Sequence, residues 1–229
     1  MKSQELLEIL KENVLNVFSP LDVYRITRKT KHYVNLLLYR MTKKGLIMRI
    51  ERDKYALKIA LYIIASNIIR PSYVSSMFAF SYYGLTTQLP AKIDVICTKQ
   101  HKTLDLEGIK IRFIKTDKTR VFAFLKDSNN AFVAEPEKAV IDSLYFNTLS
   151  FGSISEAVSI GLNKNVLNVN KLNDYALRMK NTALMNKLGF LLADNGIDDK
   201  NIYPDISKNY VKLSKSGAKI DKRWKIIYG

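Results

Sequence analysis

Two hydrophobic periods divide the first 58 residues. From Ser3 to Asn13, Leu6, Leu7, Ile9 and Leu10 recur at helical spacing with Glu5, Glu8, Lys11 and Glu12 between them, which predicts an amphipathic helix with Ser3 as its N-cap. A second helix is predicted from Pro20 to Ile26. Ser19 is a preferred cap, Pro20 suits the first helical position, and Asp22 stands three residues after the cap. Thr27-Arg28-Lys29 is a polar break. Thr30 opens a third helix that runs to Lys44, where Gly45 stops it as a left-handed terminator. On this helix Val34, Leu37, Leu38 and Met41 form one stripe. His32, Leu36, Tyr39 and Lys43 project on the opposite side, flanked by Tyr33, Asn35 and Arg40. Beyond Gly45 the period becomes two, so Leu46–Ile50 and Tyr55–Leu57 read as strands around the polar tip Glu51-Arg52-Asp53-Lys54.

Three helices followed by a hairpin is the winged helix-turn-helix arrangement, and residues 1–58 are assigned to it. The rest, 59–229, reads as a mixed α/β domain, so the fold class expected is α+β. Helices are predicted at Ile59–Ile69 (ended by Arg70-Pro71), Ser75–Tyr83, Glu135–Phe146, Ile154–Leu162, Lys171–Lys180 and Thr182–Asn195. Strands are predicted at Ile93–Thr98, Ile109–Ile114, Val121–Leu125 and Ala131–Val133, with two β-like pieces, Tyr210–Leu213 and Trp224–Ile227, near the end. No internal repeat and no low-complexity linker is visible.

Composition narrows the class. At 229 residues with 47% hydrophobic positions, the chain can bury a core, which excludes an intrinsically disordered protein. One Cys excludes a disulfide framework and a Cys-cluster zinc site, and two His leave little material for a metal centre. The N-terminus MKSQELLEIL carries Glu5 and Glu8 inside its apolar pattern, unlike a secretory signal. The longest apolar run, Ile59–Ile69, is far short of the roughly 20 residues that cross a bilayer. A soluble cytoplasmic protein with no membrane association is expected.

The charge is uneven. The net charge is +16, of which Arg25–Lys58 carries +9 and Lys200–Gly229 carries +6. A polyanionic partner is expected, with double-stranded DNA first among the candidates. No acidic residue occurs from Thr30 to Lys44, where a solvated helix normally mixes Glu with Lys and where a carboxylate would repel phosphate. In helix-turn-helix geometry the third helix enters the major groove. Tyr33, Asn35, Leu36 and Tyr39 then face base edges, with Leu36 suited to a thymine methyl and Asn35 to adenine. Arg28, Lys29, Lys31, Arg40, Lys43 and Arg52 are phosphate contacts, with Thr30 beside them at the helix start. His32 suits a phosphate, a base or plain exposure. Docking of a protein instead of DNA is the alternative use of such a module. Binding as a homodimer or as a cooperative pair on DNA is compatible with either.

Several later segments carry a resemblance. These are Tyr73-Val74-Ser75-Ser76, Tyr83-Gly84-Leu85-Thr86 with Gln88 and Pro90, and Ile93-Asp94-Val95-Ile96-Cys97-Thr98. They are followed by Ala134-Glu135-Pro136-Glu137-Lys138-Ala139 with Asp142, and by Tyr210-Val211-Lys212-Leu213 with Trp224. In this order the chain resembles the AbiEi antitoxin family over nearly its whole length. The resemblance implies an antitoxin of a type IV toxin–antitoxin pair, which represses its own operon through the winged helix. It also implies that residues 59–229 are an effector domain needed to counteract a nucleotidyltransferase-like toxin, without implying direct contact with that toxin.

Other groups look chemical. Glu135, Glu137, Lys138 and Asp142 form a capped, ion-paired helix start or, alternatively, the carboxylates of a nucleic-acid-modifying enzyme. No Gly-rich phosphate loop accompanies them, so no catalytic residue, metal or cofactor is assigned. Cys97 is expected in the core, His101 on the surface without a nearby carboxylate, and Trp224 as an anchor for the last strand. The C-terminal lysines suit a second nucleic-acid contact, a toxin contact or a solvated hairpin.

Overall fold

The computed structural model describes residues 3–198, 205–213 and 217–229. Three helices open the chain: α1 (Ser3–Glu12), α2 (Pro20–Thr27) and α3 (Lys31–Lys43). Ser3 is already helical rather than capping. Ser19 caps α2 through a reciprocal box, its hydroxyl accepting from the Asp22 amide while its own amide donates to the Asp22 carboxylate at 2.8 Å. Thr30 caps α3 by accepting from the Tyr33 amide, and Gly45 takes the left-handed conformation at φ +66°. The predicted stripe of Val34, Leu37, Leu38 and Met41 is buried with Leu6, Leu10 and Val23.

A small sheet completes this region. It consists of β1 (Val17–Phe18), β2 (Ile47–Glu51) and β3 (Lys54–Leu57), in the order β1-β3-β2, all antiparallel. β1 is an addition to the expected hairpin; two residues are too short to show a period. The two faces of the hairpin have different neighbours. Ile47 and Leu57 join the helices, whereas Ile50 and Ala56 join the core of the following region.

That region is built on a six-stranded mixed sheet. In chain order its strands are β4 (Ser72–Ser75), β5 (Lys92–Cys97), β6 (Leu104–Leu106), β7 (Ile109–Lys115), β8 (Phe124–Lys126) and β9 (Phe132–Ala134). Their spatial order is β6-β7-β5-β4-β9-β8, with β5–β7 and β4–β9 parallel and the other pairs antiparallel. Side chains alternate between its faces. Tyr73, Ile96 and Val133 pack into the larger core with α5 (Ser76–Tyr82), α6 (Pro136–Phe146), α7 (Phe151–Asn163), α8 (Val169–Arg178) and α9 (Thr182–Asp194). Val74, Val95, Ile111 and Phe113 face the other way, toward α4 (Leu61–Asn67) and the hairpin. Cys97 is buried there, as expected.

Two expectations change. Ser75, expected to open the Ser75–Tyr83 helix, is instead the last residue of β4, which was not expected and runs straight into α5 through Ser76, held at φ +57°. The predicted strand at Val121–Leu125 begins only at Phe124, after a short 3-10 turn at Lys118–Arg120. Near the end, β10 (Val211–Lys212), β11 (Lys219–Asp221) and β12 (Ile226–Tyr228) form a sheet in the order β10-β12-β11. Trp224 anchors it, buried against Gly189 of α9 so closely that any Cβ there would sit about 2 Å from the ring. Lys200 and Lys215 of the C-terminal basic stretch lie outside the described residues.

Candidate nucleic-acid interface

The α2–α3 connection is Arg28-Lys29-Thr30, with Arg28 in the left-handed region at φ 52° and its amide donating to the Tyr24 carbonyl at 2.8 Å. Beyond this turn, one face of α3 is buried and the other is open to solvent. His32, Asn35, Leu36, Tyr39, Arg40 and Lys43 are all exposed along it, as are Arg28, Lys29, Thr30 and Lys31 at its start. Two of these carry large apolar area: Leu36 is 38% and Tyr39 59% exposed. These apolar side chains stand on a helix that carries no carboxylate of its own. Tyr33 departs from the expected set, because it is half-buried against the helix core.

An open groove of about 1000 Å³ runs beside the N-terminal half of α3. It is lined by Leu21 and Tyr24 of α2, Lys31, Val34 and Asn35 of α3, and Arg52 with Asp53 of the hairpin tip. The structure therefore brings the predicted residues Thr30, Lys31, Asn35 and Arg52, from the start of α3 and from the hairpin tip, to one place. Asp53 has one carboxylate oxygen 3.7 Å from the Arg52 guanidinium. Among the described residues, this groove is lined by residues 19–53 alone, and the contacts of the following region with the hairpin run through Ile50 and Ala56.

Those contacts correct the expectation for His101. It is not a free surface residue. Its Nε2 lies 3.2 Å from Glu51 Oε1, its Nδ1 2.8 Å from the Lys102 carbonyl, and its ring packs on Phe113. Glu51 also accepts from Lys54 Nζ at 2.9 Å. Burial pushes the Glu51 acid up, but the hydrogen bonds from Lys54 and His101 outweigh it and hold the acid below its ordinary value. Lys54 Nζ in addition donates to the Ile68 carbonyl at 3.2 Å.

The charged cluster on α6 lies elsewhere; Glu135 stands at the N-cap position but makes no side-chain capping bond, so the expected cap is not formed. Lys138 and Asp142 do pair, at i and i+4, but both are fully buried. The other Asp142 oxygen accepts from the Tyr73 hydroxyl at 3.0 Å and from the Ser75 hydroxyl at 2.9 Å. Burial raises the Asp142 acid, and Lys138, Ser75 and Tyr73 pull it back only in part. The Lys138 ammonium also lies 4.6 Å from the centre of the Phe122 ring. Glu135 accepts from Tyr175 at 2.8 Å and from Lys171 at 3.1 Å. Burial, then the hydrogen bond to Glu135, pushes the Tyr175 phenol to about 12. Glu137 is buried, with Oε1 accepting from the Asn168 amide and Oε2 without a partner. Sequence alone shows the spacing of these charges but not their depth. These contacts tie α6 and its entry to β4 and α8.

Among the described residues, no group of three or more His, Cys, Asp or Glu is placed to hold a metal ion. No helix among them is long and apolar enough to cross a membrane. No family model matches the chain, and no curated protein matches it in sequence.

Proposed function

We propose that the protein is a DNA-binding transcriptional regulator whose α1–α3 and small sheet act as a winged helix-turn-helix, with α3 in the major groove. One observation carries this reading: α3 is exposed along a face that has no carboxylate of its own, beside an open groove lined by Lys31, Arg52 and Asp53. In this reading Asn35 and Leu36 meet base edges, and Lys31, Arg40 and Lys43 meet phosphates. The resemblance to the AbiEi antitoxins adds the biological role. The chain represses its own operon and counteracts a nucleotidyltransferase-like toxin without enzymatic chemistry of its own, and residues 59–229 supply the antitoxin activity.

Binding of the full-length protein to DNA from upstream of its gene, followed by fluorescence anisotropy over a salt series, tests this. Affinity should fall steeply with salt. Arg40→Ala should weaken all duplexes alike, with the log–log salt slope reduced by about one. Asn35→Ala should relax preference at one base pair. Binding that neither substitution alters overturns the assignment of α3. Salt-insensitive capture of a protein in its place supports the docking alternative.

A further inference from the structure

The geometry points to a second phosphate clamp, at the C-terminal end of α3, such that this helix crosses a duplex major groove from one phosphate wall to the other. The inference rests on the DNA reading above and adds residues outside the set expected from sequence. A separate hollow of about 240 Å³ opens between α3 and the hairpin, lined by Tyr39, Thr42, Lys43, Arg49 and Tyr55. Arg49 and Tyr55 are directly opposed in the β2–β3 register, which places both side chains on the face turned toward the helices. Lys43 Nζ lies 5.8 Å from the centre of the Tyr39 ring. Among the described residues, neither Lys43 nor Arg49 makes an ion pair. Two uncompensated cations lining one hollow with no carboxylate make a site for an anion. The planar guanidinium fork suits phosphate oxygens, and the two phenol rings offer flat surfaces to the adjoining sugar.

The opposite end of α3 carries Lys31, with Arg52 and Asp53 of the hairpin tip lining the same groove and Arg52 lying 3.7 Å from the Asp53 carboxylate. Lys31 and Lys43 are the first and last residues of the helix, twelve positions apart, which at 1.5 Å per residue is about 18 Å. A major groove is about 12 Å wide between its walls, and the phosphates themselves widen the span between contact points. Lys31 at one end and Lys43 with Arg49 at the other therefore match the two walls, with Asn35, Leu36 and Tyr39 over the floor between them. A crossing helix reads few base pairs, and the clamps at its ends grip opposite strands.

The test uses a duplex selected from a random library by the full-length protein, then remade with single neutral methylphosphonate linkages at each position of each strand. Two groups of sensitive linkages are expected, facing each other across one major groove. Arg49→Ala and Lys43→Ala should each weaken binding to every duplex by about tenfold, reduce the salt slope by about one, and abolish sensitivity on one strand only. Lys31→Ala should abolish it on the other strand. If both groups fall on one strand, the crossing orientation is wrong. If Arg49→Ala keeps wild-type affinity and salt slope while Asn35→Ala still weakens binding, the second clamp is wrong and the DNA reading stands. If no duplex is selected even at low salt, both are overturned.

Discussion

Helices α3 and α6 are both rich in charge, yet they place it in opposite ways. α3 turns Lys31, Arg40 and Lys43 to solvent with no carboxylate of its own beside them. α6 turns Glu137, Lys138 and Asp142 inward, and Lys138 with Asp142 form a fully buried pair bonded on to Tyr73 and Ser75. The difference follows from balance. A buried charge requires an opposite charge and hydrogen bonds close by, because desolvation otherwise drives it out or neutralises it. α6 contains both signs at helical spacing and so can go inside; α3 contains one sign and must stay out, where it is available to a polyanion.

The sharpest way to break this contrast is Asp142→Ala. Leaving Lys138 buried without its carboxylate should cost about 3–5 kcal/mol in chemical denaturation. Any variant protein that still folds should bind DNA as the wild type does. A loss below about 1 kcal/mol would mean that the pair is not desolvated. Glu51 lies between these extremes, its side chain 19% exposed and held at the hairpin by Lys54 and His101. Its folded-state acid is depressed, so its contribution is present above the ordinary carboxylate value, near 4.5, and is lost as pH falls through the lower folded value. Glu51→Gln should cost on the order of 1 kcal/mol at pH 7 and flatten the acid limb of a Tm–pH curve. Parallel limbs for variant and wild type would refute it. The smallest stability effect is expected on α3, where Arg40→Ala should change stability by no more than about 0.5 kcal/mol while weakening DNA binding. A large loss of stability there would show that the cation has a structural partner.

Much of the N-terminal architecture was legible because its signals are local. Ser19 and Thr30 mark helix starts, Gly45 marks a stop, and the α3 stripe is a clean 3.6 period. β1, β4 and β6 are not legible because two to four residues cannot display a period, and the end of β4 at Ser75 merges with the helical pattern that follows it. The Glu51–His101 contact joins residues 50 positions apart, so no local rule could find it. The same limit hid the depth of α6, whose partners come from β4 and α8. Arg49 and Tyr55 were half legible. Their strands were predicted, and a hairpin with Arg52-Asp53 at its tip sets them opposite each other, but only the structure shows that the shared face turns to α3.

The hairpin has no idle side. One face is roofed by the α3 helix bundle through Ile47 and Leu57, and the other is seated in the six-stranded region through Ile50 and Ala56. A protein gripping a duplex through such an element would hold its remaining mass at a set azimuth around the double helix, as a bracket bolted to a pole rather than a flag on a cord. Two copies on neighbouring sites would then meet, or miss, according to the number of base pairs between them.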